Sequence, residues 1–199
     1  MRQALVTDEP SLPEPATDGE LMARAAAGDR DAFADLVARH ERSLRGYLGR
    51  LCGSAERAEE LAQEAFVRLY QAAAGYRDQG RLLPYLFRIA INLLRSEERR
   101  HRRWRLLVPL YAGGRDERAP GGADEALLRG ELQKRVRAEL QRLPLLFRVP
   151  LLLYEVEEWS YDDIARLLGC REGTVKSRLH RGRARLRRAL ASYLHEGAP

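Results

Sequence analysis

The sequence predicts an all-α fold of two small helical domains joined by a flexible linker. Three observations carry that expectation. Apolar residues recur at three- and four-residue steps from about Asp18 to Trp104, and again from about Glu131 to Leu194, the spacing that lines one face of a helix. No stretch keeps up the apolar–polar alternation of a half-buried strand. Between the two helical stretches lies "YAGGRDERAPGGADE", with four glycines, a proline and charges of both signs, a composition that suits a linker.

Element by element, residues 1–17 carry acidic residues and prolines (Asp8, Glu9, Pro10, Pro13, Glu14, Pro15) and are expected to form a disordered tail, not a signal peptide. Leu21, Met22 and Ala25 give a short apolar stripe that Gly28-Asp29 interrupts. Ala32, Phe33, Leu36, Val37, His40, Leu44, Tyr47 and Leu48 form a longer one. Ser54 is placed to cap a third helix reaching about Ala74, with Leu61, Ala65, Phe66, Leu69 and Tyr70 as its buried face. The stretch "GYRDQGRLL" reads as a loop, and Pro84 suits the first turn of the helix after it. Trp104 and Trp159 are expected to be packing residues, His40 to lie at a core edge and Cys52 to pack at a helix end. In the second half Ser160 is placed to cap "YDDIARLL" with Asp163 three residues on, and Gly169 to end it. Pro150 falls inside a helical stretch and removes one backbone donor there, which predicts a kink. The boundaries that follow are a tail over 1–17, a first domain over 18–104, a linker over 105–130, a second domain over 131–195 and a tail over 196–199.

Charge is distributed unevenly along this frame. The whole chain is only +6, yet residues 171–188 hold eight Lys or Arg against one Glu. On a helix Val175, Leu179, Gly182, Leu186 and Ala189 share one side, and Lys176, Ser177, His180, Arg181, Arg187 and Arg188 spread over the other. Helix, tight glycine turn, then amphipathic basic helix is the helix-turn-helix pattern, whose second helix enters the major groove; an exposed basic helix packed on a bundle would share the pattern. A second basic run, "RSEERRHRRWR", ends the helix that carries Asn92 and follows a loop bearing Tyr76 and Arg77. Such a run is either a solvated face or a surface for single-stranded DNA, where Arg holds phosphate and an aromatic plane with an amide grips an unstacked base. Glu60, Gln63, Glu64, Val67 and Gln71 form a polar stripe on the third helix.

Enzyme classes find no support in these residues. The sequence offers no paired carboxylates in a cleft-forming motif, no Gly-rich phosphate loop, and no metal-ligand spacing among its four histidines. No cofactor is called for. Cys52 and Cys170 lie far apart and read as intracellular thiols. With no apolar run of membrane-spanning length, a cytoplasmic protein without membrane insertion is expected.

The stretches "AEELAQEAFVRLYQA", "GYRDQGRLLPYLFRIAINLL" and "RLPLLFRVPLLLYEVEEWSYDDIARLLGCREGTVKSRLHRGRARLRRAL" resemble, in order and spacing, an extracytoplasmic-function (ECF) sigma factor of bacterial RNA polymerase. This is the group-four plan, with domains two and four only. The resemblance implies that Glu60, Gln63, Glu64 and Arg68 bind the coiled coil of the polymerase's largest subunit, and that the helix after Leu143-Pro144 meets its flap. It implies −10 promoter contacts from Tyr76, Arg77, Asp78, Gln79, Arg88, Asn92, Arg95, Arg99 and Arg100, where a flipped base is captured and strand opening needs no ATP. It implies −35 contacts from Arg171, Thr174, Lys176, Ser177, Arg178, His180 and Arg181, and an anti-sigma factor as a further partner. Where the family usually has Trp this chain has Tyr85, and Leu82-Leu83 stand where a Phe is often found; Tyr154 stands where some relatives place Arg. Cys170 replaces a Ser often found at the cap of the recognition helix, which predicts a weaker cap. The contrasting expectation is a helix-turn-helix regulator that binds duplex DNA without joining polymerase; it would need no polar stripe on the third helix and no base pocket.

Overall fold

A computed structural model describes residues 15–77, 80–107 and 125–196. The described residues form helices α1 (Asp18–Ala26), α2 (Arg30–Cys52), α3 (Ala55–Gln71), α4 (Leu82–Leu107), α5 (Glu125–Arg142), α6 (Leu145–Glu155), α7 (Tyr161–Leu168) and α8 (Glu172–Glu196), with a 3-10 turn at Ala73–Gly75 and no strand among them. The linker predicted at 105–130 is shorter on both sides. α4 continues to Leu107 and α5 begins at Glu125, several residues ahead of the expected Glu131; residues 108–124 lie outside the described ones.

Local chemistry sets the ends. Thr17 and Glu20 form a reciprocal capping box, the Glu20 carboxylate accepting from the Thr17 N–H at 2.8 Å. Gly28 adopts φ +97°, and Asp29 caps α2 by accepting from the N–H groups of Asp31 and Ala32 at 3.0 Å. Gly53 ends α2 at φ +75°, and Ser54 caps α3 from the Arg57 N–H at 3.2 Å. The buried face of α3 is Ala58, Leu61, Ala62, Ala65, Phe66 and Leu69. Tyr70, expected in that face, is 42% exposed and rests edge-on against Phe33 with centroids 4.9 Å apart, at the margin of the α2–α3 contact. Against α2 and α3, α4 buries Leu86, Phe87, Ala90, Ile91, Leu93 and Leu94.

In the second half, α6 is apolar nearly all round and buried along Leu151–Leu153, with Pro150 lying inside the helix and not ending it. It packs on α8, with Gly182 facing Phe147 at close range: a Cβ there would lie 3.5 Å from the Cβ of Phe147, an ordinary van der Waals contact. Ser160 accepts from the Asp163 N–H at 3.1 Å. Gly169 at φ +62° ends α7, with the Cys170 N–H reaching back to the Ala165 carbonyl at 3.0 Å. The α8 helix starts at Glu172 and receives its first backbone bonds at the Arg171 carbonyl, from Thr174 at 2.8 Å. The cap position predicted at Cys170 therefore belongs to Arg171, and Cys170 serves the end of α7 instead.

The two halves meet over one continuous cluster of buried apolar side chains, in which Tyr47, Phe87, Val149, Leu153 and Ile164 all take part. Tyr47 of α2 packs on Phe87 of α4 at 4.9 Å, and Phe87 packs on Trp159 of the α6–α7 turn at 5.2 Å. Polar groups close the seam. Gln141 donates to the Arg50 carbonyl at 2.9 Å, Arg50 pairs with Glu157, and Tyr47 donates to the Val149 carbonyl at 3.5 Å. Arg148, only 6% exposed, donates to the Gln141 carbonyl at 3.0 Å and lies 3.8 Å from Glu98.

Gly53 joins the turn to the seam. Besides its positive φ, a Cβ there would fall 2.7 Å from Cδ of Gln141. Gly53→Ala is expected to destabilise the protein by about 1–2 kcal/mol from the left-handed conformation alone, and further by displacing Gln141. Gly173→Ala, in open space in the first turn of α8, is expected to be neutral or slightly stabilising. Thermal melting of the two variants side by side checks this.

Candidate nucleic-acid interface

Three surfaces emerge once the predicted residues are placed. On α3, Glu60, Gln63, Glu64 and Arg68 are all exposed in one stripe, with Val67 between them at 49% exposure. The stripe is internally paired: Glu64 with Arg68 at 2.8 Å and Glu60 with Arg57 at 2.7 Å.

The second surface is the α3–α4 loop and the outward side of α4. Tyr76 and Tyr85 face each other at 5.5 Å, and Arg88 lies 5.2 Å over the Tyr85 ring. Together with Arg77 and Arg81 they line a cavity of about 290 Å³, whose remaining wall comes from Asp163, Arg166 and Leu167 of α7. Arg88, Asn92, Arg95 and Arg99 follow at i, i+4, i+7 and i+11 on α4 and share one face; Arg88, Asn92 and Arg99 are exposed and Arg95 half-buried. Burial, then the charge of Arg178, lowers the pKa of Arg95. Arg100 does not join this face. It lines the groove between α3 and α4 with Glu60 and Glu64. Asp78 and Gln79 lie outside the described residues.

The third surface is the first half of α8. Arg171, Lys176, His180 and Arg181 are exposed, while Thr174, Ser177 and Arg178 are half-buried. The Ser177 hydroxyl is used inside the helix, donating to the Thr174 carbonyl at 3.0 Å, and Arg178 leans toward Cys170 and α4. Lys176 pairs with Glu172 at 2.6 Å and sits 5.3 Å from the ring of Tyr161, which stacks on Tyr154 at 4.8 Å. Arg183 continues the row over Tyr154 at 5.2 Å. Among the described residues no group of His, Cys, Asp and Glu could hold a metal ion, and no helix is long and apolar enough to cross a membrane.

Comparison with known proteins gives this geometry its context. The family description "Sigma-70 region 2" matches residues 36–104, and "Sigma-70, region 4" matches 133–186. The RNA polymerase sigma-H factor of Pseudomonas aeruginosa is 33% identical over 90% of this chain and 96% of its own length. The chain belongs to the RNA polymerase sigma factors. Its relatives include the ECF sigma factor SigW of Bacillus subtilis, 31% identical over 82% of this chain and 91% of its own. Among solved structures, CnrH in complex with the cytosolic domain of CnrY superimposes with a TM-score of 0.63 at 25% identity, covering 91% of this chain and 99% of that one. RpoE of Bartonella quintana, in complex with the anti-sigma factor NepR, shares the fold with a TM-score of 0.61 at 24% identity, over 80% and 96%. This sigma factor is thus an ECF member with regions two and four, a DNA-binding transcription initiation factor.

The structure also adds residues to its candidate DNA surface. Arg81 joins the lining beside Tyr76 and Arg88, and Tyr85, which stands where the family usually has Trp, faces Tyr76 there. The α7 wall had no local signal. At its start, Asp163 accepts from the Ser160 hydroxyl at 2.6 Å and from Arg166 at 2.7 Å; the hydroxyl first, then the guanidinium, holds its carboxyl below the usual carboxylate range. A depressed folded-state pKa adds stability above the unfolded value, near 3.9, which disappears as pH falls through the folded value. Ser160→Ala is expected to lower stability by about 1 kcal/mol at pH 7, and Asp163→Asn to flatten the loss of stability below about pH 4. Denaturant titrations across that range measure both.

Proposed function

We propose that this sigma factor docks on core RNA polymerase through the exposed stripe of α3, captures a −10 base with the α3–α4 loop and the outward face of α4, and reads the −35 element with the first half of α8. The carrying observation is that one chain presents two aromatic rings with Arg77, Arg81 and Arg88 around the α3–α4 loop and a basic helix, α8, at the end of a helix-turn-helix. Tyr76 and Tyr85 offer planes for an unstacked base, Arg77, Arg81 and Arg88 offer cations for the flanking phosphates, and Asn92 offers an amide one turn beyond Arg88. On α8, Lys176 and Arg181 are suited to guanine edges or phosphate, and Thr174 to positioning. The polar stripe on α3 favours this reading over a regulator that never joins polymerase. We further propose control by an anti-sigma partner, as CnrH is held by the cytosolic domain of CnrY.

The packed arrangement then has a mechanical consequence. The −10 and −35 elements lie on the order of 80 Å apart at about 3.4 Å per base pair, whereas Arg178 and Arg95, one from each DNA surface, share a single groove. Both elements are engaged only when the halves separate, and the linker gives them the length to do so.

Mixing the protein with sigma-free core polymerase and promoter DNA tests the assignment. Glu64→Lys is expected to weaken the complex at least tenfold. Asn92→Ala is expected to keep core affinity within twofold and lower promoter opening at least tenfold, read as permanganate reactivity and run-off transcripts. Wild-type opening in Asn92→Ala would remove it from the pocket. A second experiment addresses the seam: Glu157→Arg sets a second guanidinium against Arg50 and is expected to raise the radius of gyration by several Å above the roughly 16 Å of a compact chain of this length, measured by small-angle scattering.

A further inference from the structure

The basic end of α4 has two sides, and they do different things. Arg95, Arg99 and Arg102 border α8 and the second half. Leu93, Glu97, Arg100 and Trp104 recur at i, i+4, i+7 and i+11 and so share the opposite side. Leu93, Glu97 and Arg100, with Arg103, line a groove of about 530 Å³ whose other wall is Glu60, Glu64 and Arg68 of α3. Trp104 lies one turn beyond, 62% exposed; the expectation that it packs in a core is wrong, because α4 outruns the bundle and nothing of α3 reaches that far.

Charge within the groove is unevenly satisfied. Arg57 pairs with both Glu60 and Glu97, and Arg68 with Glu64. Arg100 and Arg103 have no acidic partner within 4.0 Å among the described residues. The groove therefore presents two uncommitted cations and a bare indole in continuity with the α3 stripe. Exposed Trp and Arg in such a setting are the residue types that dominate binding energy at interfaces.

We propose that the α3–α4 groove, with Arg100, Arg103 and Trp104, is an extension of the polymerase-docking surface and not part of the −10 contact. It would take a segment of core polymerase that offers carboxylates to the two arginines and an apolar side chain to the indole. The inference rests on the α3 docking assignment and reassigns Arg100, which lies about 100° around α4 from Arg99.

Equilibrium binding of the full chain to core polymerase tests it, with Trp104→Ala, Trp104→Phe, the double variant Arg100→Glu/Arg103→Glu, and Glu64→Lys measured together. Trp104→Ala and the double variant are expected to raise Kd about tenfold with unchanged helicity and Tm, and Trp104→Phe to recover most of the loss. Kd within twofold of wild type in Trp104→Ala and the double variant, with Glu64→Lys impaired, overturns the extension alone. If promoter opening falls in those variants at unchanged core affinity, the patch belongs to DNA and the proposal is overturned. Wild-type Kd in all of them overturns the α3 docking assignment as well.

Discussion

The packing of Phe87 between Tyr47 and Trp159 is the contact on which the arrangement of this molecule depends. Three aromatic side chains from α2, α4 and the α6–α7 turn form one continuous row of tilted rings through the seam. Without Trp159 on its outer side, Phe87 would be a region-two core residue with one face open. The turn that delivers Trp159 is not relaxed: Glu158 holds φ +56°, unusual for a non-glycine residue. The Trp159 N–H is anchored on the Leu153 carbonyl at 3.0 Å. Local backbone strain is thus accepted where it orients the ring that joins the halves.

That seam also decides which basic groups are exposed. In the packed state the cavity around Tyr76 and Tyr85 is walled by α7, and Asp163 acts on Arg81 electrostatically, so a carboxylate stands among the arginines of this cavity. Arg178 leans on α4 while Lys176, His180 and Arg181 remain in solvent. The two basic surfaces are therefore unequally exposed: the outer side of the first half of α8 is open, and the cavity around Tyr76 and Tyr85 is partly enclosed. The exposed stripe of Glu60, Gln63, Glu64 and Arg68 on α3 takes no part in the polar contacts that close the seam.

Much of this was legible in the sequence, and the rest was not for identifiable reasons. Caps and breaks such as Ser54, Ser160, Gly28 and Gly169 follow from short-range hydrogen bonding and backbone sterics, which neighbouring residues determine. Helix faces on α2, α7 and α8 follow from periodicity. Tyr70 and Trp104 were misjudged because their surroundings depend on where a neighbouring helix ends and how closely it packs. The family resemblance groups Arg100 with Arg99, though one step along a helix turns a side chain about 100° to another side. Glu125–Gly130 reads as linker in the sequence because glycines and a proline lie just before it. The seam had no periodic signal at all, since α6 is apolar nearly all round and so announces burial without naming what buries it.

Arg148 gives the seam a temperature dependence of its own. Its guanidinium is nearly enclosed, its Nε has no hydrogen-bond partner among the described residues, and burial lowers its pKa. Closing the halves therefore strips water from a cation as well as from aromatic rings. Hydration of a charge becomes less favourable as temperature rises, and the attraction between apolar surfaces weakens on cooling. Both effects act in the same direction, so these two contributions hold the halves together less firmly as the temperature falls.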